Sequence, residues 1–118
     1  MSRAFRVGRS KYNVRTDAVG KANRTVDGIL FDSLKEAKRY SELKMLFHCG
    51  KIGSLELQPR YPLRVNGMLI CTYVGDFRYA DLMRSEMVVE DCKGFKTPEY
   101  KLKKKLMKAI HGIEVKEV

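Results

Sequence analysis

Cysteine pairing is the first thing this chain lacks. Its three cysteines, Cys49, Cys71 and Cys92, cannot all pair, and none sits in a C-x-x-C. That removes a disulfide framework and favours a reducing, intracellular setting. With His48 and His111 they offer no pair at zinc-ligand spacing, so the thiols are expected to be buried and inert. Long apolar runs are absent too. Nothing approaches the ~20 residues of a membrane span, and the basic N-terminus lacks the apolar segment of a signal peptide. The expectation is a cytoplasmic protein with no membrane contact. No glycine-rich phosphate loop occurs, which sets ATP-dependent chemistry aside. Acid is scarce: 14 Asp and Glu stand against 24 Lys and Arg, giving a net charge of +10 and a pI near 9.7. On so small a chain that excess points to a polyanionic partner, most commonly nucleic acid. Charge alone does not distinguish an enzyme from a binding protein.

What is present suffices for one domain. The 118 residues are 44% hydrophobic, enough for a core, and 32% charged. Residues 1–25 read as a flexible basic arm. They carry Arg3, Arg6, Arg9, Lys11, Arg15, Lys21 and Arg24 against a lone Asp17, with no helical or strand periodicity. Such an arm either lies along a phosphate backbone or simply solubilises the chain. Residues 26–118 form the folded domain.

Ser33 opens a helix running to about His48, with Gly50 as its stop signal, and Ser33-x-x-Glu36 fits a capping box. Glu36 also falls on one stripe with Tyr40, Leu43 and Phe47, which is expected to be buried. A carboxylate there is costly unless paired or bound to metal, so a catalytic role for Glu36 competes with capping. Residues 55–65 and 68–74 read as strands around Asn66-Gly67, a hairpin signal. Pro59 and Pro62 make the first broken or an edge strand. Gln58 is then a polar edge residue, with substrate contact as the alternative. Thr97-Pro98 caps a second helix that runs to His111 and stops at Gly112. Leu102, Leu106, Ala109 and Ile110 make its apolar face. Lys101, Lys104, Lys105 and Lys108 make a basic stripe whose mutual repulsion an anionic partner would relieve. Residues 113–117 close the chain as a strand.

The chain is organised around residues 76–93, two strands joined by a turn at Arg84-Ser85-Glu86. Alternation puts Val89, Asp91 and Lys93 on one face and Val88, Glu90 and Cys92 on the other. Only Asp91, not Glu90, shares a face with Lys93, and the neighbouring strand supplies Asp76. Two acids and a lysine converging at a sheet edge suit Mg²⁺ held against a phosphodiester.

In the order Glu36, Asp76 and Asp91-x-Lys93, along helix, three strands, helix and strand, residues 28–117 resemble the PD-(D/E)xK, or restriction-endonuclease-like, nuclease superfamily. An acid on the first helix of a short basic chain is similar to phage junction-resolving endonucleases of the endonuclease I type and to transposon-end nucleases. The runs FDSLKEAKRY, LELQP and VVEDCKGFKTPEYKLKKKL look like a small phage-encoded family of that superfamily. Gly75 stands where the motif has proline. The resemblance implies an α/β (α+β) fold with an αβββαβ core, its mixed central sheet flanked by helices. It implies that Asp76, Asp91 and the backbone carbonyl of Cys92 bind Mg²⁺, with Mn²⁺ substituting, and that Glu36 completes the shell or holds a second metal. Lys93 would orient the attacking water and stabilise charge on phosphorus, leaving 5′-phosphate and 3′-hydroxyl ends.

The expected function is therefore a metal-dependent endonuclease on DNA. The resemblance implies selectivity for branched or four-way-junction structure. So short a chain has no room for a separate sequence-reading domain, which argues against a sequence-specific restriction enzyme working alone. Paired cuts across a junction imply a homodimer, and a phage-encoded protein would act in the host cytoplasm. The alternative is a non-catalytic basic nucleic-acid-binding module in which Glu36, Asp76 and Asp91 are structural.

Overall fold

The computed structural model describes residues 17–118, so Arg3, Arg6, Arg9, Lys11 and Arg15 lie outside the described residues. The chain forms two compact units, Met1–Cys49 and Gly50–Val118.

In the first unit, residues 18–23, read from sequence as part of the arm, are helical. Asp17 caps this helix, α1 (Ala18–Asn23), by accepting the amide of Gly20 at 2.8 Å. A single cap, too local to register as periodicity, starts it. A two-residue hairpin follows, β1 (Thr25–Val26) and β2 (Ile29–Leu30), turning on Asp27 and Gly28. Helix α2 (Leu34–His48) begins as its sequence indicates, with Ser33 Oγ accepting the Glu36 amide at 3.1 Å. Glu36, Ala37, Tyr40 and Leu43 are buried. Phe47, expected on the same stripe, is 43% exposed. Against the helix, the Phe31 ring lies 5.0 Å from that of Tyr40, and Asp27 accepts from the Tyr40 hydroxyl and pairs with Lys44. Burial and the bond to Asp27 push the Tyr40 hydroxyl up to about 12.

The second unit is built on a four-stranded sheet. Its strands are β3 (Ile52–Leu57), β6 (Phe77–Asp81), β7 (Glu86–Asp91) and β8 (Lys116–Glu117), adjacent in that order. The first three pair antiparallel and β8 runs parallel to β7, so the sheet is mixed and the class is α+β. Strands β4 (Arg60–Val65) and β5 (Met68–Val74) form a separate hairpin over Asn66-Gly67. Both turn residues have positive φ, 51° and 83°, as a tight hairpin matched to strand twist requires. The run 55–65 is thus two strands, broken at Gln58-Pro59. There Gln58 turns into the left-handed region (φ 50°) and Pro59 has no amide to give a ladder. The closing strand shrinks to two residues.

Helix α3 (Pro98–Leu106) starts at Thr97, whose hydroxyl accepts the Tyr100 amide at 3.1 Å, and runs into a π-helical turn at Met107–His111. Its buried face is not the one the apolar spacing predicts. Tyr100 and Met107 point inward beside Leu63, Tyr73, Val89 and Val115, with Leu106 and Ile110 at the margin, while Leu102 is 58% exposed. The Thr97-Pro98 start aims Tyr100 at the core, and the wider π turn shifts the face after residue 106. The same rotation divides the lysine stripe. Lys104 pairs with Glu117 at 3.3 Å, while Lys108, 3.5 Å from Glu114, stays exposed together with Lys101 and Lys105.

All three cysteines are free. Cys92 is buried as expected, Cys71 is half-buried, and Cys49, at the end of α2, is exposed. Among the described residues no helix is long and apolar enough to cross a membrane.

The observed α3 face makes a sharp contrast. Leu63→Ala is expected to cost about 2–5 kcal/mol by urea unfolding, and Leu102→Ala to stay within about 0.5 kcal/mol. Comparable losses at both positions would put Leu102 back in the core.

Candidate active site

Four segments of the second unit converge at the end of β7. Gln58 and Pro59 lie against Gly75 and Asp76. The Gln58 amide donates to the Asp76 carbonyl and the Gly75 amide to the Pro59 carbonyl, each at 3.0 Å. Across the sheet the Asp76 amide donates to the Glu90 carbonyl, also at 3.0 Å. Asp76 is thereby held by backbone on both sides, just ahead of β6. Its side chain reaches the end of β7, where Oδ2 accepts the Cys92 amide at 2.7 Å. Gly75 fits this crowding. A Cβ there would meet Val89 at 3.2 Å, Tyr73 at 3.3 Å and Pro59 at 3.4 Å, so a side chain next to the acid would require these neighbours to give by a few tenths of an ångström.

Asp91 is fully buried. Its Oδ2 accepts the Tyr73 hydroxyl at 2.6 Å, and Lys93 Nζ lies 3.4 Å from Oδ1, which accepts no hydrogen bond. Burial, and next the charge of Asp76 beside it, push the Asp91 carboxyl up to about 6; Lys93 and the Tyr73 hydroxyl pull the other way. The expected grouping of Asp76, Asp91 and Lys93 is therefore present, though β7 ends at Asp91 and Lys93 lies just beyond it. Lys93 is held in place from its other side, with Nζ 4.7 Å from the centre of the Tyr100 ring. The Tyr100 hydroxyl donates to Glu117 at 2.9 Å, and Lys96 and Lys104 pair with the same carboxylate. That set, with Lys96 foremost, holds the Glu117 carboxyl down at about 2.

Glu90 takes the opposite face, as alternation requires. It is fully buried and accepts a very short hydrogen bond from the Tyr79 hydroxyl, a structural pairing that leaves it outside the carboxylate pair. Glu36 sits in the first turn of α2 in the first unit and is 4% exposed. Sequence reasoning missed Tyr73, Tyr100 and Glu117. The available signal was that a tyrosine within an apolar run needs a partner for its hydroxyl once buried.

Among the described residues no three His, Cys, Asp or Glu side chains gather as a metal site. The donor set at Asp76 and Asp91 nevertheless fits Mg²⁺ or Mn²⁺. These ions take hard oxygen ligands and commonly use only one or two protein carboxylates, completing their shell with water and substrate phosphate. Two adjacent buried carboxylates, one with an oxygen that accepts no hydrogen bond, are what a cation would relieve.

Among known families, the one described as "Protein of unknown function (DUF1064)" matches residues 9–117. No curated protein and no solved structure matches.

Because the folded protein holds the Asp91 proton more tightly than the unfolded chain does, stability in EDTA should rise as pH falls through about 6 and be lost as pH rises. The depressed Glu117 acts oppositely, below 4.5, so the Asp91 effect is read between about 4.5 and 6. Its size is at most on the order of 3 kcal/mol, and Asp91→Asn should flatten the slope in thermal melts. An unchanged slope would assign the titration to another group. Gly75→Ala should cost about 1–3 kcal/mol, read as a lower Tm.

Proposed function

The chain belongs to the DUF1064 family of proteins of unknown function, and we propose from its site chemistry that it is a metal-dependent endonuclease acting on DNA. The observation that carries this reading is the convergence of Asp76, Asp91 and Lys93: a buried carboxylate pair with an ammonium 3.4 Å from one of its oxygens. The αβββαβ core of restriction-endonuclease-like nucleases belongs to the same reading. Helix α2, strands β3, β6 and β7, helix α3 and strand β8 follow that order once the β4–β5 hairpin is counted as an insertion.

Asp76, Asp91 and the Cys92 carbonyl would hold Mg²⁺ or Mn²⁺. When bound, the ion supplies a water of lowered pKa and offsets phosphate charge. The chain's own groups do the positioning. Tyr73 fixes the orientation of Asp91, and the Cys92 amide fixes Asp76. Lys93, held between Asp91 and the Tyr100 ring, places its charge where negative charge builds on phosphorus. Hydrolysis joins the water oxygen to phosphorus as the P–O3′ bond breaks. One water proton ends on O3′ and the other leaves the new 5′-phosphate for solvent.

The basic surface, including Lys101 and Lys105 on α3, supplies phosphate contacts. Branched or four-way-junction DNA is the substrate, cut by a homodimer in the cytoplasm.

Supercoiled plasmid and a labelled four-way junction should be cut with Mg²⁺ or Mn²⁺ and left intact with EDTA. Asp91→Ala and Lys93→Ala should each lose cutting by about a hundredfold or more while remaining folded. Metal-independent binding without cutting, unaffected by Asp91→Ala, would leave a nucleic-acid-binding module instead. In that comparison Lys101→Ala with Lys105→Ala should weaken binding and reduce the salt slope by about 2.

A further inference from the structure

Among the described residues, only two side chains keep buried polar atoms without a hydrogen-bond partner: Asp91, through Oδ1, and Gln58, through both Oε1 and Nε2. The Asp91 oxygen is accounted for by the cation site. The Gln58 amide is not. Gln58 is 7% exposed, so its carboxamide has left water without replacing any of the bonds it gave up. A buried amide left without partners forfeits its hydration and costs stability. Its backbone is costly as well. At φ 50° it lies in the left-handed region, which a side chain with a Cβ adopts only under constraint. Native proteins tolerate such a double cost mainly where a ligand later uses the group.

Its place in the fold says which ligand. Gln58 is the hinge between β3 and β4, and its backbone N–H donates to the carbonyl of Asp76 at 3.0 Å, while the side-chain carboxamide has no partner. The strained conformation is what sets Gln58 opposite the first acid of the site, and the paired Gly75–Pro59 bond locks that register. A carboxamide offers two donors and an acceptor but no charge. It therefore adds nothing to the repulsion between Asp76 and Asp91 and can meet both partners that a hydrolytic site receives. Nε2 can donate to a phosphate oxygen, and Oε1 can accept from a water.

We propose that Gln58 is a substrate-binding residue of the Asp76/Asp91 site, its buried carboxamide receiving a non-bridging oxygen of the phosphodiester and the water beside it. This rests on the nuclease reading for its substrate, but the orphaned amide is an independent observation.

Gln58→Met removes the polar atoms while keeping an unbranched chain of similar volume. Gln58→Gly removes the side chain and accepts φ 50° without strain, which covers a failure of the first variant to fold. Melting temperature in EDTA is measured alongside kcat and KM on plasmid with Mg²⁺. The affinity for a labelled duplex is read by anisotropy with Mg²⁺ in a Lys93→Ala background, so that turnover does not enter. The expected result is a Tm for Gln58→Met above wild type by a few degrees, with about a tenfold or greater loss in duplex affinity or in kcat. Unchanged affinity and unchanged cleavage overturn the proposal, because the amide is then idle. A Tm lowered in both Gln58→Met and Gln58→Gly overturns it whatever the affinity, because the amide is then bonded inside the fold. Wild type that binds but never cuts defeats the nuclease reading alone, since the affinity comparison still decides Gln58. Wild type that neither binds nor cuts defeats both.

Discussion

The enforced proximity of Asp76 and Asp91 is the constraint on which the second unit turns. Both are fully buried, and each raises the electrostatic cost of the other. Left alone, the pair would push the ends of β6 and β7 apart. They stay together because the sheet gives them no freedom. Asp76 is bonded through its backbone to Gln58 on one side and Glu90 on the other, and its side chain takes the Cys92 amide. Asp91 is tied to Tyr73 and faced by Lys93. Buried charges are rarely net stabilising, and breaking one partner from such a set is expensive. A fold that keeps this arrangement carries a cost in stability that a bound cation would offset.

Around this pair the hydrophobic core and the polar site share residues. Tyr73, Tyr100 and Val89 belong to the core cluster. The hydroxyls of the two tyrosines bond Asp91 and Glu117, and the Tyr100 ring also faces Lys93. Their rings are apolar payload and their hydroxyls are orienting groups, so packing and polar geometry cannot be varied separately here. Gly75 shows the same coupling from the other direction. It brings Pro59, Tyr73 and Val89 within contact of one backbone atom position, and the acid that follows inherits that tightness. The position before the acid is taken by the smallest residue, and rigidity comes from the bonds on either side.

The basic character of the chain is less uniform in three dimensions than in one. Glu117 gathers Lys96, Tyr100 and Lys104, and Glu114 takes Lys108, so part of the lysine run of α3 anchors the helix to the closing segment. Lys101 and Lys105 remain outward. A charge run in sequence thus loses some of its members to the acids the fold returns to it, Lys104 most clearly. In the first unit Arg24, counted among the arm's cations, is likewise 6% exposed and donates to the Phe31 carbonyl.

Local rules were legible wherever the cause is local. The Ser33 and Thr97 caps, the Asn66-Gly67 turn, the stop at Gly112 and the alternation that separates Asp91 from Glu90 all depend on neighbours within a few residues. The sequence by itself therefore determined where most elements start and turn, and which acid shares a face with Lys93. Tertiary structure decided what depends on distant partners. The inward face of α3 was set by the π turn and by what Tyr100 and Met107 could pack against, overriding the spacing of Leu102 and Ala109. The β3–β4 break at Gln58, the roles of Tyr73 and Tyr100, and the elevated proton affinity of Asp91 arise only when residues far apart in sequence come together. Periodicity carries no record of such meetings, because burial and Coulomb energy depend on separation in space, which only the folded chain defines.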